Sequence, residues 1–297
     1  MNARGRPPKR LAWVLNLDAD LELAAPQGYT PRRTVLDAMA AFVPVLARSL
    51  LGPEDVLVEA TSPALHARGL TGRAFCPTPR ALAALRDAGA EPEPAPGMEI
   101  LRLVNSRAFA SSLGSTLPGA AFVTTLDDAR TLLARPPPLG HGWRVKRAFG
   151  MSGRGQRLIA STQLTEADLA FVRGGMPDGG VQIEPNVTIE REYAIHGVLD
   201  GDGTYRLGAI VEQRCDARGA WLATEPLHDA SDALTEALVA EASRVAAALA
   251  GRGYFGPFGI DAFAYRGPEN VTVLQLRSEI NARYSMGFAV GFPSGTR

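Results

Sequence analysis

Short apolar runs alternate with polar breaks along the whole chain, and the spacing of those runs changes character twice. Residues 11–16 are apolar and are followed by acids and turn formers, which predicts a first strand. Residues 34–51 place Val35, Met39, Phe42, Val45 and Leu46 on one side at helical spacing, which predicts a single helix. Residues 55–60 (DVLVEA) predict a second strand, 79–88 a short helix, 91–96 a Pro-rich loop, and 101–104 a third strand. Asn105 is placed to cap a helix running to Leu113. Strands alternating with helices predict a parallel α/β layer.

From residue 120 the pattern is a small α/β unit: a strand at 120–124, a helix at 126–133, and a break at Pro136, Pro137, Pro138 and Gly140. A strand at 143–147, a glycine-rich turn, a strand at 157–160 and a helix at 165–173 follow. The last third is rich in strands, at 181–184, 192–198, 205–212, 220–224, 258–265 and 270–280, with one long helix at 233–250. The Asp200-Gly201-Asp202-Gly203 turn marks a hairpin, so this sheet is expected to be mostly antiparallel. The fold class is therefore read as α/β and α+β. Three regions are expected: an N-terminal parallel α/β domain (1–117), a small unit with the glycine turn (118–180), and a larger, mostly antiparallel part (181–297).

Composition narrows the function classes. The 297 residues suggest about two domains or one large one, at roughly 150 residues each. With 31 basic and 31 acidic residues the net charge is zero, which argues against a dedicated nucleic-acid or membrane-surface binder. No run is long and apolar enough for a membrane span, and no signal peptide is evident, so a cytoplasmic protein is expected. Cys76 and Cys215 are too few for a disulfide framework and read as ordinary cysteines. Only two of the 31 basic residues are lysines, Lys9 and Lys146. Lysine is a compact point charge where arginine is a planar fork, so Lys146 among arginines reads either as a site that needs an ammonium or as codon chance.

Three clusters carry candidate chemistry. The turn Gly150-Met151-Ser152-Gly153-Arg154-Gly155 lies between two strands, and successive N–H groups there can form an anion nest. A plain flexible hairpin is the competing reading, but Lys146 just before the turn adds the point charge that a polyphosphate wants. At the C-terminal end, strand alternation puts Glu279 and Asn281 on one face, and Asp261 joins them if its strand pairs alongside. Two carboxylates and an amide are hard oxygen donors suited to Mg²⁺; a surface hairpin edge is the alternative. Third, Gln182-Ile183-Glu184-Pro185-Asn186-Val187, with Glu192 beyond, is a strand ending in a proline turn whose free backbone groups could meet an adenine edge.

Together and in this order, the clusters resemble the ATP-grasp superfamily over about residues 105–287, and the preceding third resembles the smaller α/β domain that commonly precedes such a module. The resemblance rests on Val-Lys before a Gly-rich flap, Glu-Pro-x-Val followed by Glu-Tyr, and Gly-Ile-Asp with Glu-Ile-Asn-Ala-Arg. It implies that Lys146 and Arg107 contact the ATP phosphates under a flap of Ser152, Gly153 and Gly155. Glu184, with the backbone of Asn186 and Val187, would hold the adenine edge, and Glu192 the ribose. Asp261, Glu279 and Asn281 would ligate Mg²⁺ or Mn²⁺. Arg283 would stabilise charge on the transferring phosphoryl group or the acyl phosphate. Gly259 stands where some ligases carry an arginine, so Arg283, Arg214 or Arg277 would take the oxyanion role.

The implied activity is an ATP- and Mg²⁺-dependent ligase that activates a carboxylate as an acyl phosphate and couples it to an amine. A nucleotide-binding module that does not ligate and a small-molecule kinase are the alternatives. Small-molecule, amino-acid or peptide substrates are expected, with a homodimer through the N-terminal domain as the expected assembly and neither nucleic acid nor membrane as a partner. Arg214, Tyr254, Tyr284 and residues 27–33 are candidates for the acceptor pocket.

Overall fold

A computed structural model describes residues 10–25, 27–114, 117–150, 153–216 and 219–292. The first sheet is parallel, with β1 (Leu11–Val14) between β2 (Val56–Leu57) and β3 (Thr71–Ala74), and β4 (Glu91–Pro92) on the far edge. Around it lie α1 (Ala19–Ala24), α2 (Arg33–Ala40), α3 (Val43–Leu50) and α4 (Pro79–Asp87). The stretch expected as one helix over 34–51 breaks after Ala40, with Pro44 in the first turn of α3, where its missing N–H costs least.

Further expectations fail in this domain. Residues 101–104 are not the third strand but the end of helix α5 (Met98–Val104). Leu101 and Val104 are fully buried while Leu103 is exposed, the helical rather than the strand period. The true third strand, Thr71-Gly72-Arg73-Ala74, carries little intrinsic strand signal. Asn105 does not cap the next helix, α6 (Arg107–Ser112); Ser106 does, its hydroxyl accepting from Phe109 N–H. Asn105 instead reaches across the molecule. Its Oδ1 accepts from Ala282 N–H at 2.8 Å and its Nδ2 donates to Ala282 O at 3.3 Å, which fixes the segment between Asn281 and Arg283.

The second sheet is antiparallel. It has β5 (Ala121–Val123), β8 (Val181–Pro185), β6 (Trp143–Arg147) and β7 (Gln156–Ile159) in that order, covered by α7 (Leu126–Leu133) and α8 (Glu166–Arg173). Val181–Pro185, which opens the third region in the sequence reading, thus pairs within the second sheet. Alternation along β6 buries Trp143 and Val145 in this unit's core and turns Arg144 and Lys146 the other way.

The third sheet is antiparallel, as the hairpin pattern predicts: β11 (Trp221–Pro226), β10 (Tyr205–Cys215), β9 (Ile189–Leu199), β12 (Gly256–Arg266) and β13 (Thr272–Asn281). Helix α9 (Asp232–Ala250) lays Leu238, Ala242, Val245 and Leu249 against Ile195, Phe258 and Ile260. The same core takes in Leu23, Leu101, Val104 and Phe109, so the N-terminal helices and the large sheet share one apolar interior. The last helix, α10 (Phe288–Gly291), packs Phe288 and Phe292 under Trp13 and Phe75. Among the described residues no helix is long and apolar enough to cross a membrane.

Candidate active site

The second and third sheets face each other across a cleft of about 800 Å³, closed on one side by the N-terminal domain. Arg107, Lys146, Gly153, Glu184, Val187, Glu192, Asp261, Glu279, Asn281 and Arg283 line it, so most of the candidate residues come together in one place. Gly155 and Asn186 do not line it, and Ser152 lies outside the described residues.

The acidic centre is built on two paired strands. Asp261 of β12 stands directly opposite Glu279 of β13, and Gly259 opposite Asn281. Asp261 Oδ1 accepts from Gln213 Nε2 at 2.8 Å and its Oδ2 from Asn281 Nδ2 at 2.9 Å. Burial, then the neighbouring Glu279 charge, pushes the Asp261 carboxyl up to about 6. Arg107 Nη2 donates to Glu279 Oε1 at 2.9 Å, and its Nη1 to Arg147 O at 2.8 Å. Arg107 therefore ties β13 to the strand that enters the flap, with no side-chain partner but Glu279 among the described residues.

This donor set fits a hard divalent cation. It comprises two neighbouring carboxylates, of which Asp261 has amide donors and no ion-pair partner among the described residues, and an amide whose nitrogen faces Asp261, leaving its oxygen without a partner among the described residues. No cluster of three or more His, Cys, Asp or Glu side chains suited to a metal occurs among the described residues. The cation implied is thus one that completes its shell with phosphate and water oxygens, as Mg²⁺ does.

Lys146 Nζ lies 2.5 Å from Glu184 on the neighbouring strand β8, and both are nearly buried. Gln182 Nε2 donates to the other Glu184 oxygen at 3.0 Å. Glu184, expected at an adenine edge, is therefore engaged with Lys146 and holds the ammonium in place. The proline turn also differs from expectation. Asn186 N–H donates to Gly142 O at 2.9 Å and Asn186 O accepts from His141 N–H at 3.0 Å, so its backbone is not free. Its side-chain oxygen accepts from Arg144 Nη2 at 2.7 Å. The loop comes this close because residue 140 is glycine: a Cβ there would sit 2.1 Å from Asn186 O, at φ +64°. With Glu184, the residues Pro185, Val187 and Glu192 face the cleft. At the flap, Gly155 O accepts from Arg147 N–H at 2.8 Å, closing the hairpin behind Gly153.

The three arginines proposed for an oxyanion role separate cleanly. Arg277 is buried away from the cleft, where it pairs with Glu241 of α9 and donates to Ala110 O at 3.2 Å and to Gly114 O. It is a structural cation, turned aside by an irregularity in the β12–β13 register between Asp261 and Phe263. Arg214 lines the cleft mouth, largely exposed, and pairs with Glu225 at 2.8 Å. Arg283 stands inside, its Nη2 2.7 Å from Asp20 and its guanidinium over the Phe75 ring. Of the acceptor-pocket candidates, Tyr254 is buried with its hydroxyl donating to Pro257 O, and Tyr284 packs between Trp13 and Phe288. Residues 27–33 do not reach the cleft, though Tyr29 donates to Asp18 at 3.0 Å.

Asp20, Gln213 and Arg144 complete the constellation and escaped the sequence reading. A signal for Asp20 existed: acids follow β1 at the carboxyl end of a parallel sheet, where open α/β folds place their ligand-facing residues. Cys215 touches the site through Glu192, and burial first, then that carboxylate, pushes its thiol well up. Cys76 is buried and its thiol is pushed up to about 12 by burial. Neither is poised as a nucleophile.

No family model and no curated protein matches the sequence. Solved structures do match the fold. N5-carboxyaminoimidazole ribonucleotide synthetase of Thermus thermophilus aligns over 92% of this chain and 71% of its own, at 20% identity and TM-score 0.50. D-alanyl-alanine synthetase A of Vibrio cholerae aligns over 93% and 90%, at 14% identity and TM-score 0.53. The biotin carboxylase domain of Hydrogenobacter thermophilus 2-oxoglutarate carboxylase, solved with MgADP, ADP and bicarbonate, aligns over 95% and 70%, at 12% identity and TM-score 0.54. At these identities the likeness is one of fold. The chain has the ATP-grasp fold, as its motifs imply.

Proposed function

We propose that the protein is an ATP- and Mg²⁺-dependent ligase that converts a carboxylate to an acyl phosphate and transfers the acyl group to an amine. The observation that carries this reading is the convergence in one cleft of Lys146, the glycine hairpin, Arg283 and the Asp261–Asn281–Glu279 centre. A fold-mate solved with MgADP supports a nucleotide and its ion as the occupants.

A free carboxylate is a poor acyl donor because its leaving group would be oxide. In the proposed reaction a carboxylate oxygen attacks the γ-phosphorus and ADP leaves; the amine then attacks the acyl carbon and phosphate leaves. Lys146 binds phosphate oxygens from the β6 side, prepositioned by Glu184. Arg107 donates to Glu279 and the Arg283 charge acts on the same carboxylate, so both guanidinium groups stand where negative charge moves. Asp261, Glu279 and the Asn281 oxygen would hold the divalent ion, which supplies charge neutralisation on the transferring phosphoryl group. The hairpin around Gly153 covers the phosphates and keeps water from an acyl phosphate that would otherwise hydrolyse. No side-chain nucleophile is required.

The test is ADP release with Mg-ATP and pooled amino acids, for the wild type, Lys146→Ala and Glu279→Ala. The proposal expects release that collapses in both variants. Unchanged ATP binding and turnover in both would refute it. A phosphorylated end product in place of an amide would point to a kinase, and a Mg-ATP thermal shift with no ADP to a non-ligating module.

A further inference from the structure

Past the carboxylate pair the cleft changes chemistry. Arg283 marks the seam: its charge acts on Glu279 and Asp261 on one side, and it stacks over Phe75, 5.5 Å from the ring centre, on the other. Beyond it the wall is apolar. Leu17, Met39 and Phe42 come from the N-terminal domain, Met286 from the turn before α10, and Trp221 and Leu222 from β11. Phe42 and Trp221 meet edge to face with centroids 6.1 Å apart, so the two sides join into one surface. Met39 and Phe42 are backed by the cluster of Trp13, Leu46 and Phe288, whereas Leu222 is 61% exposed beside the cleft. An aliphatic side chain left to water at the edge of such a surface is what an apolar ligand group would cover.

The charges at this end are already matched. Arg283 pairs with Asp20, Arg214 with Glu225, and Arg191 with both Glu212 and Asp229. Among the described residues Arg191 and Arg214 already face carboxylates of the fold, so neither stands free to meet a second anionic group on the substrate. A charged group pushed against this wall would lose its water without gaining a partner.

Resting on the ligase reading, we infer that the carboxylate substrate carries an uncharged, apolar group, seated between Met39, Phe42 and Trp221 while its carboxylate lies at Arg283. Charged and phosphorylated carboxylates are disfavoured. The apolar wall sets specificity and the arginine seam sets the position of the reacting group.

The test traps the acyl phosphate chemically, so the natural amine need not be known. The purified full chain is given Mg-ATP, hydroxylamine and one carboxylate at a time: leucine, methionine, phenylalanine, alanine, glutamate, lysine or O-phosphoserine. Hydroxamate and ADP are both measured. The expected result is a kcat/KM for leucine, methionine or phenylalanine at least ~10-fold above the charged acids and above alanine, the scale on which apolar pockets discriminate. Phe42→Arg is expected to cut the leucine-to-glutamate ratio by about tenfold or more with KM for ATP unchanged, and Phe42→Leu to restore it. A purely structural role for Phe42 would leave that ratio alone, and an unchanged ratio would overturn the inference. So would a wild-type preference for glutamate or phosphoserine, or no side-chain preference, while leaving the ligase reading standing. No hydroxamate from any carboxylate would overturn both.

Discussion

Asp20 and Arg283 offer the sharpest perturbation. The pair joins the N-terminal domain to the end of β13, with contacts of 2.7 and 3.3 Å. The side chains are only 8% and 12% exposed. Removing one partner of a buried pair leaves the other charge desolvated and uncompensated, a loss of about 3–5 kcal/mol. Asp20→Asn keeps one acceptor oxygen for the guanidinium, so the lower end of that range, about 3 kcal/mol, is expected. Arg283→Met strands the Asp20 carboxylate and should cost a similar amount. The double variant leaves no buried charge, and a methionine beside Phe75 packs well, so it should recover more than half of the summed loss. The assay is urea unfolding followed by tryptophan fluorescence, with Trp13 close to Arg73 and Tyr284 as a reporter of this region. The expected coupling energy is at least ~2 kcal/mol with unchanged m-values. A loss below ~1 kcal/mol for Asp20→Asn, or strictly additive single losses, would refute a buried, mutually dependent pair.

Two titrations should appear with opposite signs. His196 is fully buried with neither ring nitrogen bonded, and burial lowers its pKa to about 4. Its contribution is therefore present above its unfolded value near 6.5 and lost as pH falls toward 4. That loss is up to about 3 kcal/mol, and His196→Leu should abolish it in urea titrations from pH 7 to 4.5. Asp261, raised to about 6, works the other way: its contribution is present below its ordinary value of 3.8 and lost as pH rises through 6. Asp261→Asn should remove that decline from the metal-free protein, and an unchanged pH profile would contradict the burial argument. Gly140→Ala, which drives a Cβ into Asn186 O, should lower the stability of the second sheet by at least ~1–3 kcal/mol, read as faster amide exchange in β6 and β8.

The third sheet and helix α9 were legible in the sequence, whereas the break in the helix expected over 34–51 and the short strand β3 were not. The hairpins of the third sheet and helix α9 follow directly from turn residues and apolar period. Strand β3 did not, because Thr71-Gly72-Arg73-Ala74 is made a strand by parallel neighbours on both sides rather than by its own residues. The same override took Leu101 and Val104 into a helix, where one apolar face joins the core that α9 and β12 also line. At the site, strand parity correctly set Glu279 and Asn281 together and Asp261 opposite. Parity could not reveal that Arg277 is turned away, because the register irregularity that does it is a property of two strands. Nor could local sequence show that Lys146 takes Glu184 as its partner, or that Asp20 reaches Arg283 from the far end of the chain. Residue types announce chemistry, whereas partners across sheets decide which of those residues are free to perform it.

The most direct test of the central claim follows an oxygen atom. The purified protein is given Mg-ATP, an amine acceptor and leucine carrying ¹⁸O in its carboxyl group, and the released phosphate is analysed by mass spectrometry. Attack of the carboxylate on the γ-phosphorus predicts one ¹⁸O atom in each phosphate formed with product, alongside ADP. Phosphate free of ¹⁸O, or AMP in place of ADP, would contradict activation through an acyl phosphate in this cleft.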